Sequence, residues 1–125
     1  MIRYLIDANS AVYAMDVGNE GLKARIANRD AGEIAISVIS YAEVAYGTHV
    51  GKPPPPEVLE AFIQAIPLLA FDEAAARVYA HLPFKRARFD RLLAAHALSI
   101  GAVVVTNSEG DFADVPGLMV ENWTV

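Results

Sequence analysis

Four acidic residues stand at positions where a folded chain would present them to a ligand. Each follows a predicted strand or lies in an early turn of a predicted helix, and together they are Asp7, Glu43, Asp90 and Asp111. Several carboxylates without nearby Cys or His are the ligand set that Mg²⁺ or Mn²⁺ prefers. A metal site beside basic residues would suit attack on a phosphodiester, because the metal can generate hydroxide and stabilise the transition state.

Three of these acids also have ordinary structural interpretations. Asp7 could cap the helix that follows it, and Asp90 suits the positive end of a helix dipole. Glu43 could complete a capping box that begins at Ser40. No single acid is therefore strong evidence, and the prediction depends on all of them occurring in suitable places.

The fourth acid is not selected by spacing. Glu109 and Asp114 lie close to Asp111 and could take its place. Polar residues at two predicted strand ends could orient the carboxylates by hydrogen bonds, and these residues are Asn9, Thr106 and Asn107.

The densest basic cluster surrounds Asp90 and comprises Lys85, Arg86, Arg88 and Arg91. It could be a solvated charge run paired with nearby acids, or it could contact the phosphates of RNA. The chain carries a formal net charge of −5, which argues against unspecific binding of polyanions. A local patch would therefore be needed to hold RNA.

His96 lies six residues after Asp90, which turns it away from the Asp90 face of a helix. We expect it to be a packed or partly exposed helix residue rather than to act in catalysis.

Alternating strands and helices must position these residues. Apolar runs predict strands at residues 2–6, 33–37, 68–71, 102–106 and 118–121, with helical segments between them. This alternation predicts a parallel sheet covered on both faces, with the acids at its carboxyl edge. A length of 125 residues suits a single domain, residues 1–125, and the chain has no cysteine for disulfides. Without a signal peptide or a membrane span, we expect a cytoplasmic location.

The chain resembles PIN-domain ribonucleases, and specifically the VapC-type toxins of toxin–antitoxin modules. The resemblance is carried by YLIDAN at residues 4–9, ISVISYAEVAYG at 36–47, FDRLLAAHAL at 89–98, VTNSEGDF at 105–112 and VPGLMVENW at 115–123. It implies a three-layer α/β/α sandwich, a homodimer, and Mg²⁺- or Mn²⁺-dependent endoribonuclease activity. It also implies a VapB-type antitoxin that blocks the acidic site and forms a higher assembly with the toxin.

The resemblance assigns the four acids as metal ligands and catalytic residues. It selects Asp111 over Glu109, because the family places this acid directly before a phenylalanine. Two departures stand out. Ala8 occupies a position where relatives commonly carry threonine, which removes a hydroxyl from the site, and the segment between Leu82 and Phe89 is short.

Two other functions were weighed. A receiver-type signalling domain would need adjacent acids after the first strand and a lysine near the last strand, and this chain has neither. A PIN-like module that binds RNA or an antitoxin with negligible hydrolysis is compatible with the sequence, and Ala8 leaves that alternative open.

Overall fold

The computed structural model describes residues 1–30, 32–83 and 88–125. Five strands form one sheet in which every pairing is parallel, in the order β3-β2-β1-β4-β5. The strands are β1 (Tyr4–Ile6), β2 (Ile34–Ser37), β3 (Leu68–Leu69), β4 (Val103–Val105) and β5 (Val120–Glu121). The predicted strands are therefore present, although each is shorter than its apolar run.

Helices connect these strands and cover the sheet. They are α1 (Ala8–Met15), α2 (Glu20–Ala27), α3 (Val38–His49), α4 (Pro56–Ala65), α5 (Glu73–Ala80) and α6 (Arg88–Ile100), followed by a short 3₁₀ helix, Glu109–Phe112. Among the described helices, none combines the length and apolar character that a membrane crossing requires.

The two faces of the sheet are buried against different helices. Tyr4 and Ile6 of β1 point to one face, where they pack with residues of α1 to α4 such as Leu22 and Leu59. Leu5 points to the opposite face, where residues of α6 and the segment after β4 cover it. Because both faces are covered, the strands are apolar at nearly every position. The predicted three-layer α/β/α sandwich is confirmed.

The order of the strands identifies one crevice as the place for a ligand. The chain passes from β1 to β2 on one side of the sheet and later returns to β4 on the other side of β1. In open parallel sheets, ligands bind beyond the carboxyl ends of the strands at such a reversal. Asp7 follows β1 at this point, and Thr106 and Asn107 follow β4.

A buried hydrogen bond connects the sheet and α3 to α6. Nδ1 of His96 lies 2.8 Å from Oγ of Ser37, and both side chains are at most 2% exposed. Ser37 ends β2 and also caps α3, since its Oγ accepts a hydrogen bond from the Ile39 amide. The ring of Phe71 meets His96 edge-on. His96 is thus a packed helix residue, as the sequence predicted.

Burial of His96 predicts how stability depends on pH. Desolvation lowers the pKa of His96 below its usual 6.5, although Asp72 raises it in part. Below pH 6.5 the unfolded chain therefore binds more protons at this residue than the folded chain does. The free energy of unfolding should fall as the pH drops from about 6.5 towards the folded-state pKa.

This prediction can be checked by urea unfolding of wild type and His96→Asn between pH 5 and 8. The variant should lose about 1–3 kcal/mol at pH 7.5, because Ser37 loses its buried partner. The difference between the two proteins should shrink as the pH falls. A difference that stays constant with pH would show that His96 is charged, or titrates equally, in both states.

Candidate active site

Asp7 lies at the junction of β1 and α1. Its backbone amide donates to the carbonyl of Val105, which joins it to β4, and its Oδ1 accepts a hydrogen bond of 2.8 Å from the Ser10 amide. The side chain is 8% exposed. The helix-capping role considered from the sequence is therefore real. It uses one carboxylate oxygen, and Oδ2 has no hydrogen bond to any described residue.

Glu43 does not take part in a capping box. The helix α3 begins at Val38, three residues earlier than the box requires, because Ser37 rather than Ser40 caps it. Ser40 is instead buried inside the helix, 1% exposed. The carboxylate of Glu43 is consequently not held by the start of its own helix.

Glu43 and Asp90 experience each other's negative charge and that of Asp7. Although Glu43 is exposed on α3, the surrounding protein desolvates its carboxylate and raises its pKa, and Asp90 and Asp7 raise it further. The pKa of Asp90 is also raised, first by burial and then by Asp111 and Asp7, while Arg91 lowers it in part. The structure thus brings the four predicted acids into one electrostatic group.

Asp111 differs from Glu109 and Asp114, the two alternatives for the fourth acid, in the residues with which it interacts. It lies in the 3₁₀ helix and contributes to the raised pKa of Asp90. Glu109 accepts a hydrogen bond of 3.2 Å from the Asn122 side chain, and Asp114 pairs with Arg91. The electrostatic effect on Asp90 and the other contacts of Glu109 and Asp114 therefore favour Asp111, which spacing alone did not select.

The four acids are not gathered into a preformed metal site. Within residues 1–30, 32–83 and 88–125, no group of three or more His, Cys, Asp or Glu side chains is placed to hold a metal ion. The donor chemistry nevertheless suits a hard divalent cation, since all four candidates are carboxylates. Mutual repulsion would keep such side chains apart until a cation compensates their charge.

The predicted orienting residues make other contacts. Oγ1 of Thr106 accepts a hydrogen bond from the Ser108 amide, and the side chain of Asn107 accepts one from the Ser108 hydroxyl. Asn9 is exposed on the first turn of α1. In the described part of the chain, no hydrogen bond joins these three residues to any of the four acids, so an orienting role stays a prediction.

The structure corrects one member of the predicted RNA-binding patch. Arg91 is 5% exposed, and its Nη2 lies 2.6 Å from Oδ2 of Asp114. It is therefore a buried, paired cation rather than an exposed phosphate ligand. Arg88 is exposed at the start of α6, whereas Lys85 and Arg86 lie outside the described residues.

Removing charge from the acidic group should stabilise the protein when no metal is present. At pH 7.5 in a chelator, Glu43→Gln and Asp90→Asn should each raise the unfolding temperature by roughly 2–5 °C, because repulsion is relieved. An acid whose pKa is raised in the folded state lowers the free energy of unfolding as the pH rises above its pKa in the unfolded chain, which is 4.5 for Glu43. The gain of Glu43→Gln should therefore vanish near pH 4. Glu60→Gln, an exposed carboxylate on α4, is the control and should change little; destabilised Glu43 and Asp90 variants would contradict the repulsion.

Arg88 and Arg91 should behave differently when their charges are removed. Arg91→Met should lower the free energy of unfolding by roughly 1–2 kcal/mol, less than a fully buried pair would lose because the Asp114 side chain is 46% exposed.

Arg88→Ala should leave stability within about 0.5 kcal/mol and reduce the salt dependence of RNA binding by about one phosphate contact. Urea unfolding and RNA binding at several salt concentrations test both variants. An unchanged salt slope in Arg88→Ala would remove Arg88 from the RNA contacts.

Comparison with known proteins identifies the family to which the chain belongs. The PIN domain family model matches residues 4–118. The tRNA(fMet)-specific endonuclease VapC of Salmonella typhimurium is 30% identical over 132 residues, which cover 98% of this chain and 99% of that protein. The crystal structure of VapBC2 from Rickettsia felis, bound to a promoter DNA fragment, matches with a TM-score of 0.87, 28% identity and coverage of 98% and 99%. DNA-bound VapBC from Salmonella typhimurium matches with a TM-score of 0.84, 29% identity and the same coverage. The chain therefore belongs to the PIN-domain family, among relatives of VapC type.

Proposed function

We propose that this protein is the ribonuclease toxin of a VapBC-type module, an endoribonuclease that hydrolyses RNA at the four-carboxylate group and depends on Mg²⁺ or Mn²⁺. The observation that supports it most is that the pKa values of Glu43 and Asp90 are raised, first by burial and then by the charges of the other acids. A structural role would pair these carboxylates with cations. Here Arg91, the one described cation that acts on Asp90, is already paired with Asp114.

Each acid reaches the site from a different element, so the sheet and helices define where a cation is held. Asp7 is fixed by the Ser10 amide, Glu43 projects from α3, Asp90 from the first turn of α6, and Asp111 from the 3₁₀ helix. These side chains would hold the ion. A bound Mg²⁺ or Mn²⁺ supplies a polarised phosphate and a water of lowered pKa.

The exposed part of the basic cluster would place the RNA. Arg88 begins the helix that carries Asp90, and a cation there can hold a phosphate of the backbone next to the acidic group. Such a contact positions the strand without reading its sequence.

The proposal includes protein partners. The solved structures compared above are of VapBC2 and VapBC, so a VapB-type antitoxin is the partner expected for this chain. A homodimer and a larger assembly with antitoxin are part of the same proposal. Because the Salmonella typhimurium relative is a tRNA(fMet)-specific endonuclease, initiator tRNA is the first RNA to test.

The test uses antitoxin-free protein with initiator tRNA and with other structured RNA. Wild type should cut RNA with Mg²⁺ or Mn²⁺, and a chelator should stop the reaction. Asp7→Ala and Asp90→Asn should each lower the cleavage rate by about 10²-fold or more, because the cation loses a ligand. Both variants should also abolish growth arrest on expression, whereas Glu60→Gln should retain both activities.

A second readout separates metal binding from catalysis. Mn²⁺ should raise the unfolding temperature of wild type, as any ligand selective for the folded state does, and should not do so for Asp90→Asn. RNA that is bound but never cut with either metal would reject the enzyme and favour a binding module. Unchanged toxicity in both Asp variants would reject the metal-site assignment.

A further inference from the structure

A cavity of about 410 Å³ lies beside the acidic group, between α1 and α3. Asn9, Tyr13 and Asp16 line it from α1 and its C-terminal end, Glu43 and Tyr46 line it from α3, and Lys52 lies at its edge. Its volume falls in the range of small-molecule sites, roughly 300–1,000 Å³. Because Glu43 belongs to both, the cavity is continuous with the candidate active site.

Helical spacing places its aromatic residues beside the polar ones. Tyr46 is three residues after Glu43 on α3, and Tyr13 is four residues after Asn9 on α1, so each pair shares a helix face. Tyr46 is 69% exposed and Tyr13 is 36% exposed. Neither ring is needed to fill the core. Both are available to a ligand that enters from the acidic group.

The charges around the cavity indicate what kind of ligand it would take. Asp16 and Glu43 are acidic, and Lys52 is the one cation among the described residues that line it. Oδ1 of Asp16 is already engaged by the Val17 amide at 2.8 Å. With two acids and one cation, the cavity disfavours a phosphate and suits a neutral, planar group. Aromatic side chains stack on bases of single-stranded RNA, and an amide such as Asn9 can both donate to and accept from a base edge.

We propose that this cavity is a nucleobase subsite, which receives the base of a nucleotide adjacent to the cleaved phosphodiester. The base stacks on Tyr46 or Tyr13, and Asn9 contacts its edge. The inference rests on the proposed ribonuclease function. It adds a contact that determines specificity on the α1–α3 side of the acids. This contact would recognise a base, whereas Arg88 on α6 would bind a phosphate.

Abasic scanning of a bound RNA tests the subsite directly. A single-stranded oligonucleotide is titrated against protein carrying Asp90→Asn, so that binding is measured without hydrolysis. One abasic position should weaken binding by roughly 5- to 100-fold, the usual range for loss of one stacked base. In the Asp90→Asn, Tyr46→Leu double variant, that same position should cost little, because the contact is already lost. Tyr41→Leu is the matched control, since Tyr41 lies on the same helix but lines a separate cavity with Leu59.

A second variant fills the cavity without altering the aromatic rings. Gly47 lies on its wall, and a Cβ built there meets only the Cβ of Lys52, at an ordinary 3.8 Å. Gly47→Leu should therefore fold and reduce RNA affinity to a similar degree as Tyr46→Leu. Thermal unfolding of both variants confirms that the loss is not one of structure.

The outcomes separate this proposal from the proposed function. One outcome is that wild type cuts RNA while every abasic position weakens RNA binding equally with and without Tyr46. That result would reject the nucleobase subsite and leave the proposed ribonuclease function intact. If the protein neither binds nor cuts RNA, both are wrong. If Tyr46→Leu and Gly47→Leu leave RNA affinity unchanged and weaken the complex with the antitoxin instead, the cavity belongs to a protein interface and the nucleobase proposal is overturned.

Discussion

Repulsion between carboxylates at one edge of the sheet is the constraint that the rest of the structure must satisfy. Glu43 and Asp90 have raised pKa values because desolvation, and then the charges of neighbouring acids, disfavour their charged forms. The fold offsets this cost elsewhere, by burying both faces of a parallel sheet in which Leu5 and Ile6 are fully inaccessible. Strain of this kind persists at functional sites because the surrounding packing over-determines it.

The Ser37–His96 hydrogen bond shows how the acids are held against that repulsion. Ser37 caps the helix that carries Glu43, and His96 belongs to the helix that carries Asp90. A buried bond of 2.8 Å between them therefore couples the two helices that carry Glu43 and Asp90. His96 thus contributes to the geometry of the site from inside the protein.

The sequence predicted the sheet well because buried parallel strands are continuous apolar runs, and it placed Asp7 at the end of the first strand for the same reason. It failed where a contact joins distant residues. Arg91 looked like part of an exposed patch, and its pairing with Asp114, 23 residues away, has no local signal. Likewise, the local sequence pattern does not predict that Trp123 packs on Tyr4, with ring centroids 5.0 Å apart. The start of α3 was misplaced because Ser37 and Ser40 are both plausible caps.

Ala8 affects the cavity between α1 and α3 as well as the acidic group. Ala8 places a methyl group next to Asp7 in the chain, at the position where the resemblance to VapC-type toxins implies a threonine hydroxyl. The same residue lines the cavity that holds Tyr13 and Tyr46. A methyl group in the wall of this cavity suits the stacked base that we propose for it. Ala8 therefore connects the two proposals, because it follows Asp7 in the chain and also lines the proposed nucleobase subsite.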